Sequence, residues 1–160
     1  MRYPTHIIFA LITVIPLYQY TKLPLISYLF IASWASLLPD IDHPKSHLGK
    51  SVLSKFIRIT TTHRGWTHSL FGMLIFCSLF ALILHLLKID LAYTIPFALG
   101  YLSHLISDSL NPTGVRWFWP SKRRIGFRLI ITGSKREYLF RYLLIVILGI
   151  EILKESLGYF

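Results

Sequence analysis

The chain has 160 residues, of which 54% are hydrophobic and 15% charged, and its mean hydropathy is +0.56. Seventeen Lys and Arg against seven Asp and Glu give a formal net charge of +10. The charges gather in short segments between apolar runs, which argues against a nucleic-acid-binding domain with a basic surface and for an integral membrane protein. The lone cysteine, Cys77, excludes an internal disulfide.

Five apolar segments are expected to form membrane helices, over Thr5–Tyr20, Leu23–Leu38, Thr67–Leu87, Leu91–Leu110 and Glu137–Leu157. Arg2 ahead of the run from Ile7 to Leu17 has the look of a signal peptide. The apolar character resumes at Leu23, however, so the N-terminus is expected to remain on the mature chain. Pro24 suits a first helical turn, whereas Pro16 and Pro96 are expected to kink their helices. The expected fold is a single all-α domain over 1–160, a polytopic membrane bundle of about five transmembrane helices. It divides into a hairpin over 5–38, a loop over 39–66, a second hairpin over 67–110, a basic loop over 111–136 and a C-terminal helix over 137–157.

Charge sets the expected orientation. Lys45, Lys50, Lys55, Arg58 and Arg64 lie in the first long loop, and Arg116, Lys122, Arg123, Arg124, Arg128, Lys135 and Arg136 in the second, while the intervening turns hold only Lys22 and Lys88. The positive-inside rule then makes both loops and the N-terminus cytoplasmic and the C-terminus external, in a multi-pass protein of the cell's inner membrane. Trp117, Phe118 and Trp119, followed by Lys122, Arg123 and Arg124, read as an interfacial aromatic belt with cations for anionic headgroups.

A weak repeat links the two hairpins. Leu37-Leu38-Pro39-Asp40-Ile41-Asp42-His43-Pro44 and Leu105-Ile106-Ser107-Asp108-Ser109-Leu110-Asn111-Pro112 each end an apolar helix with Asp and, four residues later, Pro. Each hairpin also opens on a Thr-His pair, Thr5-His6 and Thr67-His68. Such parallel repeats are related by an axis along the membrane normal, which brings both His/Asp sets to one depth.

Ionisable groups at the ends of membrane helices cost free energy unless they pair, meet water or hold a cation. His104 and Asp108, four apart, share a helix face with Gly100, Ser107 and Asn111, and Ser33, Ser36 and Asp40 make a comparable line. Thr62-His63-Arg64-Gly65-Trp66-Thr67-His68-Ser69 adds two imidazoles, with Thr67 the expected N-cap of the third membrane helix. The candidate metal ligands are His6, Asp40, Asp42, His43, His63, His68, His104 and Asp108. Mixed imidazole and carboxylate donors suit Zn²⁺ first, then Mn²⁺ or Fe²⁺, and eight donors suggest two ions, or one ion with the remaining donors supporting its ligands. The expected chemistry is hydrolysis by activated water, with Asp42 as ligand or base and Arg64 as a clamp on a substrate oxyanion.

These motifs, namely Thr5-His6, Leu38 to Pro44, His63 to Ser69, and His104 with Asp108, resemble the YdjM-like family of LexA-regulated, inner-membrane-associated proteins, whose label proposes metal-dependent hydrolysis. The resemblance covers the first four membrane segments and implies a membrane-bound metal hydrolase. The substrate expected from the charges is a lipid or lipid-linked phosphoester, with no nucleic acid involved. The alternatives are a divalent-metal transporter or a membrane scaffold with a structural metal.

Overall fold

The computed structural model describes residues 1–44, 46, 48–60 and 64–157. Every regular element among them is helical: α1 (Tyr3–Val14), α2 (Leu25–Ala35), α3 (Val52–Thr60), α4 (Leu70–Leu86), α5 (Thr94–Ser109) and α6 (Lys135–Ser156), with short 3-10 turns between them.

Local chemistry sets the helix ends. Pro16 has no N–H for the α-helical ladder, and the first apolar segment passes into a 3-10 turn over Ile15–Tyr20. Pro96, expected to kink its helix, lies in the first turn of α5, where a missing N–H costs little. Ser69, extended at φ −148°, accepts a hydrogen bond from Gly72 N and caps α4. Thr67, the cap expected from sequence, lies instead in the preceding turn Trp66–His68.

α5 is the central helix, packed against α1, α2 and α4. Its buried residues Phe97, Gly100, Tyr101, His104, Leu105 and Asp108 recur at three- and four-residue steps, as one helix face requires. The apolar members meet Ala35 and Leu38 in one core cluster, while Val14, Leu23, Tyr28 and Ala32 form a second between α1 and α2. α2 and α5 cross where Gly100 faces Ala32. A Cβ on residue 100 would stand 2.2 Å from the Ala32 carbonyl oxygen. Only glycine permits that approach, the same use of small residues that lets membrane helices pack closely.

Residues 111–134 form a strap across the C-terminal end of α5. Phe127 N and Leu129 N donate to the Ser109 and Leu110 carbonyls at 2.8 and 2.9 Å, satisfying groups that a helix end leaves open. Val115 and Ile125 pair antiparallel through two 2.9 Å bonds, and Leu70 N donates to the Trp117 carbonyl at 3.0 Å. Glu137, buried at the start of α6, accepts from Arg2 N, Thr5 Oγ1 and Gly133 N, which fastens α6 to α1.

Two features differ from the sequence expectation. The first long loop contains a helix, α3, whose Ile57 is buried while Phe56 and Ile59 stay exposed. Among the described residues one stretch, Leu25–Asp42, is long and apolar enough to cross a membrane, and α4 is a shorter apolar helix of 17 residues. The other segments are shortened or polar: α1 stops at Val14, α5 buries a hydrophilic face, and α6 carries Arg141, Glu151 and Lys154. The outer surface is nonetheless apolar, with Ile26 and Phe30 of α2, Leu74 and Leu82 of α4, and Leu139 and Leu143 of α6 all exposed. Patches of this extent mark a surface that meets lipid or protein.

Gly100→Ala is predicted to separate α2 from α5 and to cost about 1–3 kcal/mol of stability, as overpacking does. Thermal unfolding in detergent checks this, and an unchanged melting temperature would show that the backbones do not meet at Ala32.

Candidate metal centre

Four helix ends deliver the site. His6 comes from the first turn of α1, Asp40 and Asp42 from the 3-10 turn after α2, His68 from the turn before α4, and His104 and Asp108 from the last turns of α5. The three imidazoles, Asp42 and Asp108 are buried, and the Asp40 side chain keeps 20% of its surface exposed.

Each imidazole has its Nδ1 engaged from behind. His104 Nδ1 lies 2.7 Å from the Ser36 carbonyl, which can only accept, so Nδ1 carries the hydrogen. Ser107 Oγ donates to the His104 carbonyl at 3.0 Å and therefore accepts from His6 Nδ1 at 2.8 Å. Thr67 Oγ1 donates to Asp42 Oδ2 at 2.7 Å, which leaves it to accept from His68 Nδ1 at 3.2 Å. For His68 and His104 the consequence is that Nε2 is the atom left for the interior, whereas His6 Nε2 also meets the Met1 carbonyl. Partners of this kind fix tautomer and ring orientation at metal-binding histidines.

The Nε2 atoms and two carboxylates then converge. His68 Nε2 is 3.3 Å from His104 Nε2 and 3.4 Å from Asp40 Oδ1, and His104 Nε2 is 3.9 Å from both Asp40 Oδ1 and Asp108 Oδ2. His6 Nε2 lies 3.6 Å from Asp108 Oδ1 and 3.2 Å from the Met1 carbonyl, with its ring stacked on His104 at 3.9 Å between centroids. Three overlapping donor groups result, each with its atoms within 4.8 Å of one another: His6, Asp40 and His104; His68, His104 and Asp108; and Asp40, Asp42 and His68.

So many acceptor atoms facing one another require positive charge. Two cations of the chain supply part of it, the Met1 amino group on Asp108 Oδ1 and Arg64 Nη2 on Asp108 Oδ2 at 2.7 Å. A proton supplies more. Burial alone would push His68 down, but hydrogen bonds to Asp40 and Asp42 outweigh it and hold this imidazole, in the turn ahead of α4, up at about 9. The donors also fit a divalent ion: two nitrogens on a tetrahedral zinc at about 2.0–2.1 Å are separated by about 3.3 Å, the spacing of His68 and His104.

The other sequence candidates are placed as follows. Asp42 sits behind His68, with Oδ2 also accepting from Arg64 N at 3.0 Å. Arg64 takes the left-handed conformation, φ 60°, uncommon without glycine, and that backbone bond to Asp42 holds it there. His43 ends the 3-10 turn, half-buried, and belongs to none of the three donor groups found among the described residues. His63 lies outside the described residues. Sequence reasoning missed the Met1 amino group, and it placed Ser36 and Ser107 on polar stripes without assigning them to His104 and His6.

Fold and site together describe a helical protein with an apolar exterior and a buried His/Asp cluster at one end of its bundle. The model of the YdjM inner membrane protein family matches residues 1–158, and the chain belongs to that family of membrane proteins. Over 116 residues it is 41% identical to Inner membrane protein YdjM of Escherichia coli (strain K12) and to the protein of that name from Shigella flexneri, covering 67% of this chain and 56% of each relative. It is 34% identical over 107 residues to the uncharacterized protein YvsG of Bacillus subtilis (strain 168), covering 65% of this chain and 64% of that one. The match thus spans little more than half the length of the first two relatives. No solved structure matches.

Because His68 keeps its proton below about pH 9 in the metal-free protein, a metal ion binding through Nε2 must expel it. Zinc affinity is predicted to rise about tenfold per pH unit from about pH 7 to 8.5 and to level off above about 9. Competition with a chelator measures this, and a flat profile would remove His68 from the ligands.

Proposed function

We propose that this chain is a multi-pass, metal-dependent hydrolase of the inner membrane that cleaves a phosphoester in a lipid or lipid-linked substrate at the cytoplasmic face. The observation that carries the reading is the convergence of three histidine Nε2 atoms and two carboxylates beside the Arg64 guanidinium. His6, Asp40, His68, His104 and Asp108 would hold the metal, zinc by donor chemistry. When bound, such ions supply Lewis acidity and lower the pKa of water toward neutrality.

The chain's own residues have distinct tasks. Arg64 presents a guanidinium where charge on a phosphoryl oxygen would be stabilised. Asp42, engaged by Thr67 and the Arg64 backbone, fits a positioning role behind His68 better than the role of base. Asp40, partly exposed among buried donors, marks the side from which water and substrate arrive. The lipid-facing character of α2, α4 and α6 and the two basic segments support a membrane bundle with the site at the cytoplasmic interface. Donors at helix ends favour this over transport, whose sites lie near the midplane.

The burial of the donors favours a second reading, a closed structural metal site. Turnover separates the two. Purified zinc-loaded protein, tested on phospholipids and polyprenyl phosphates, is expected to release product. Asp40→Ala should abolish turnover, and Asp42→Asn should weaken zinc binding about 10–100-fold. Absence of turnover together with unfolding on chelation would establish the structural reading instead.

A further inference from the structure

Arg116 and Arg124 occupy an arrangement that the metal donors do not explain. Val115 and Ile125 exchange both backbone hydrogen bonds, so the next facing pair along this antiparallel contact is Arg116 and Arg124. Facing residues of such a pair lie about 4.5–5.5 Å apart at the backbone with side chains on one face, and like charges there destabilise it. No Asp or Glu occurs anywhere in 111–134 to offset them.

The polar atoms of these arginines are left open. Among the described residues, Arg116 Nε is buried without a hydrogen-bond partner, and so is Arg64 Nε. Arg124 Nη1 donates to the Thr113 carbonyl at 3.3 Å. Desolvation, then the charges of Arg116 and Arg64, lower the affinity of Arg124 for its proton, which places the three guanidinium groups within electrostatic reach of one another. The strap is held against the site by the Leu70–Trp117 bond and by Trp117 Nε1 donating to Ser109 Oγ at 2.8 Å, one residue from Asp108. Arg64 links the two regions, since its guanidinium already touches Asp108.

We infer that Arg116 and Arg124, with Arg64 between them and the His/Asp cluster, form a binding site for a tetrahedral phosphate group. A phosphate offers acceptor oxygens to the unpartnered Nε atoms and the charge that relieves three neighbouring cations. The inference rests on the hydrolase reading only for what becomes of the phosphate after it binds. Exposed Phe118 and Phe127 on the same strap face the surroundings from which a lipid headgroup would come.

The test is binding to the zinc-loaded 160-residue chain, using inorganic phosphate with the protein in detergent in one arm and phosphatidylcholine vesicles with or without phosphatidic acid in the other. Arg116→Gln with Arg124→Gln should weaken phosphate binding about tenfold or more, the loss expected for charge-assisted hydrogen bonds, with zinc content unchanged. Arg124→Gln alone, at an exposed position, should give part of the loss without a folding defect. Lys122→Gln with Arg123→Gln, which removes equal charge from the same strap, should change binding by less than about twofold. An effect on inorganic phosphate identifies a free phosphate site, and an effect confined to phosphatidic acid identifies a headgroup site; either supports the inference. Absence of binding in both arms, or equal losses in the two double variants, overturns it. Turnover in a protein whose phosphate binding ignores Arg116 and Arg124 would leave the hydrolase reading standing and this inference refuted, and arginine-dependent binding without turnover would do the reverse.

Discussion

The close crossing of α2 and α5 governs the geometry of the site. At Gly100 the two backbones nearly touch, and one helical turn further the same approach lets the Ser36 carbonyl accept from His104 Nδ1 at 2.7 Å. Further on, Asp40 in the turn after α2 comes within 3.4 Å of His68, and Asp108 in α5 within 3.9 Å of His104. A bulkier residue at position 100 would move apart two carboxylates and an imidazole together. The pairing of a membrane-style small-residue contact with polar helix ends therefore decides where the donors meet.

The repeat noted in the sequence takes a specific form in space. Residues 32, 36 and 40 match 100, 104 and 108 in the repeat, and of these pairs 32 faces 100 and 36 faces 104 across the crossing. The histidines pair across hairpins as well: His6 lies against Asp108 and His68 against Asp40. One donor group, His68, His104 and Asp108, lies within the second hairpin, and the other two groups need Asp40 from the end of the first repeat. That exchange ties the site to the assembled bundle, and each half leaves buried charge uncompensated without the other.

Much of this was legible in the sequence, for physical reasons that differ by residue. Charges at the ends of apolar runs are costly, which singled out Asp40 and Asp108, and a four-residue spacing put His104 on the face of Asp108. Helix ends were less legible. Thr67 and Ser69 are both competent caps, and only tertiary contact with Asp42 assigns Thr67 elsewhere. α3, the nine residues Val52–Thr60, has its apolar residues at helical spacing, but the flanking and interspersed Lys50, Lys55 and Arg58 make the stretch read as a basic loop. The opposition of Arg116 and Arg124 depends on the register between Val115 and Ile125, which local composition does not encode.

The central claim is that the two hairpins jointly hold a divalent ion through nitrogen and oxygen. X-ray absorption at the metal edge of the purified, metal-loaded full chain tests it most directly, read beside elemental analysis and repeated on His104→Ala. The account predicts a shell of nitrogen and oxygen with two or three imidazoles, reduced by one imidazole or lost in the variant. A protein that retains no metal, or a shell that the variant leaves unchanged, would contradict it.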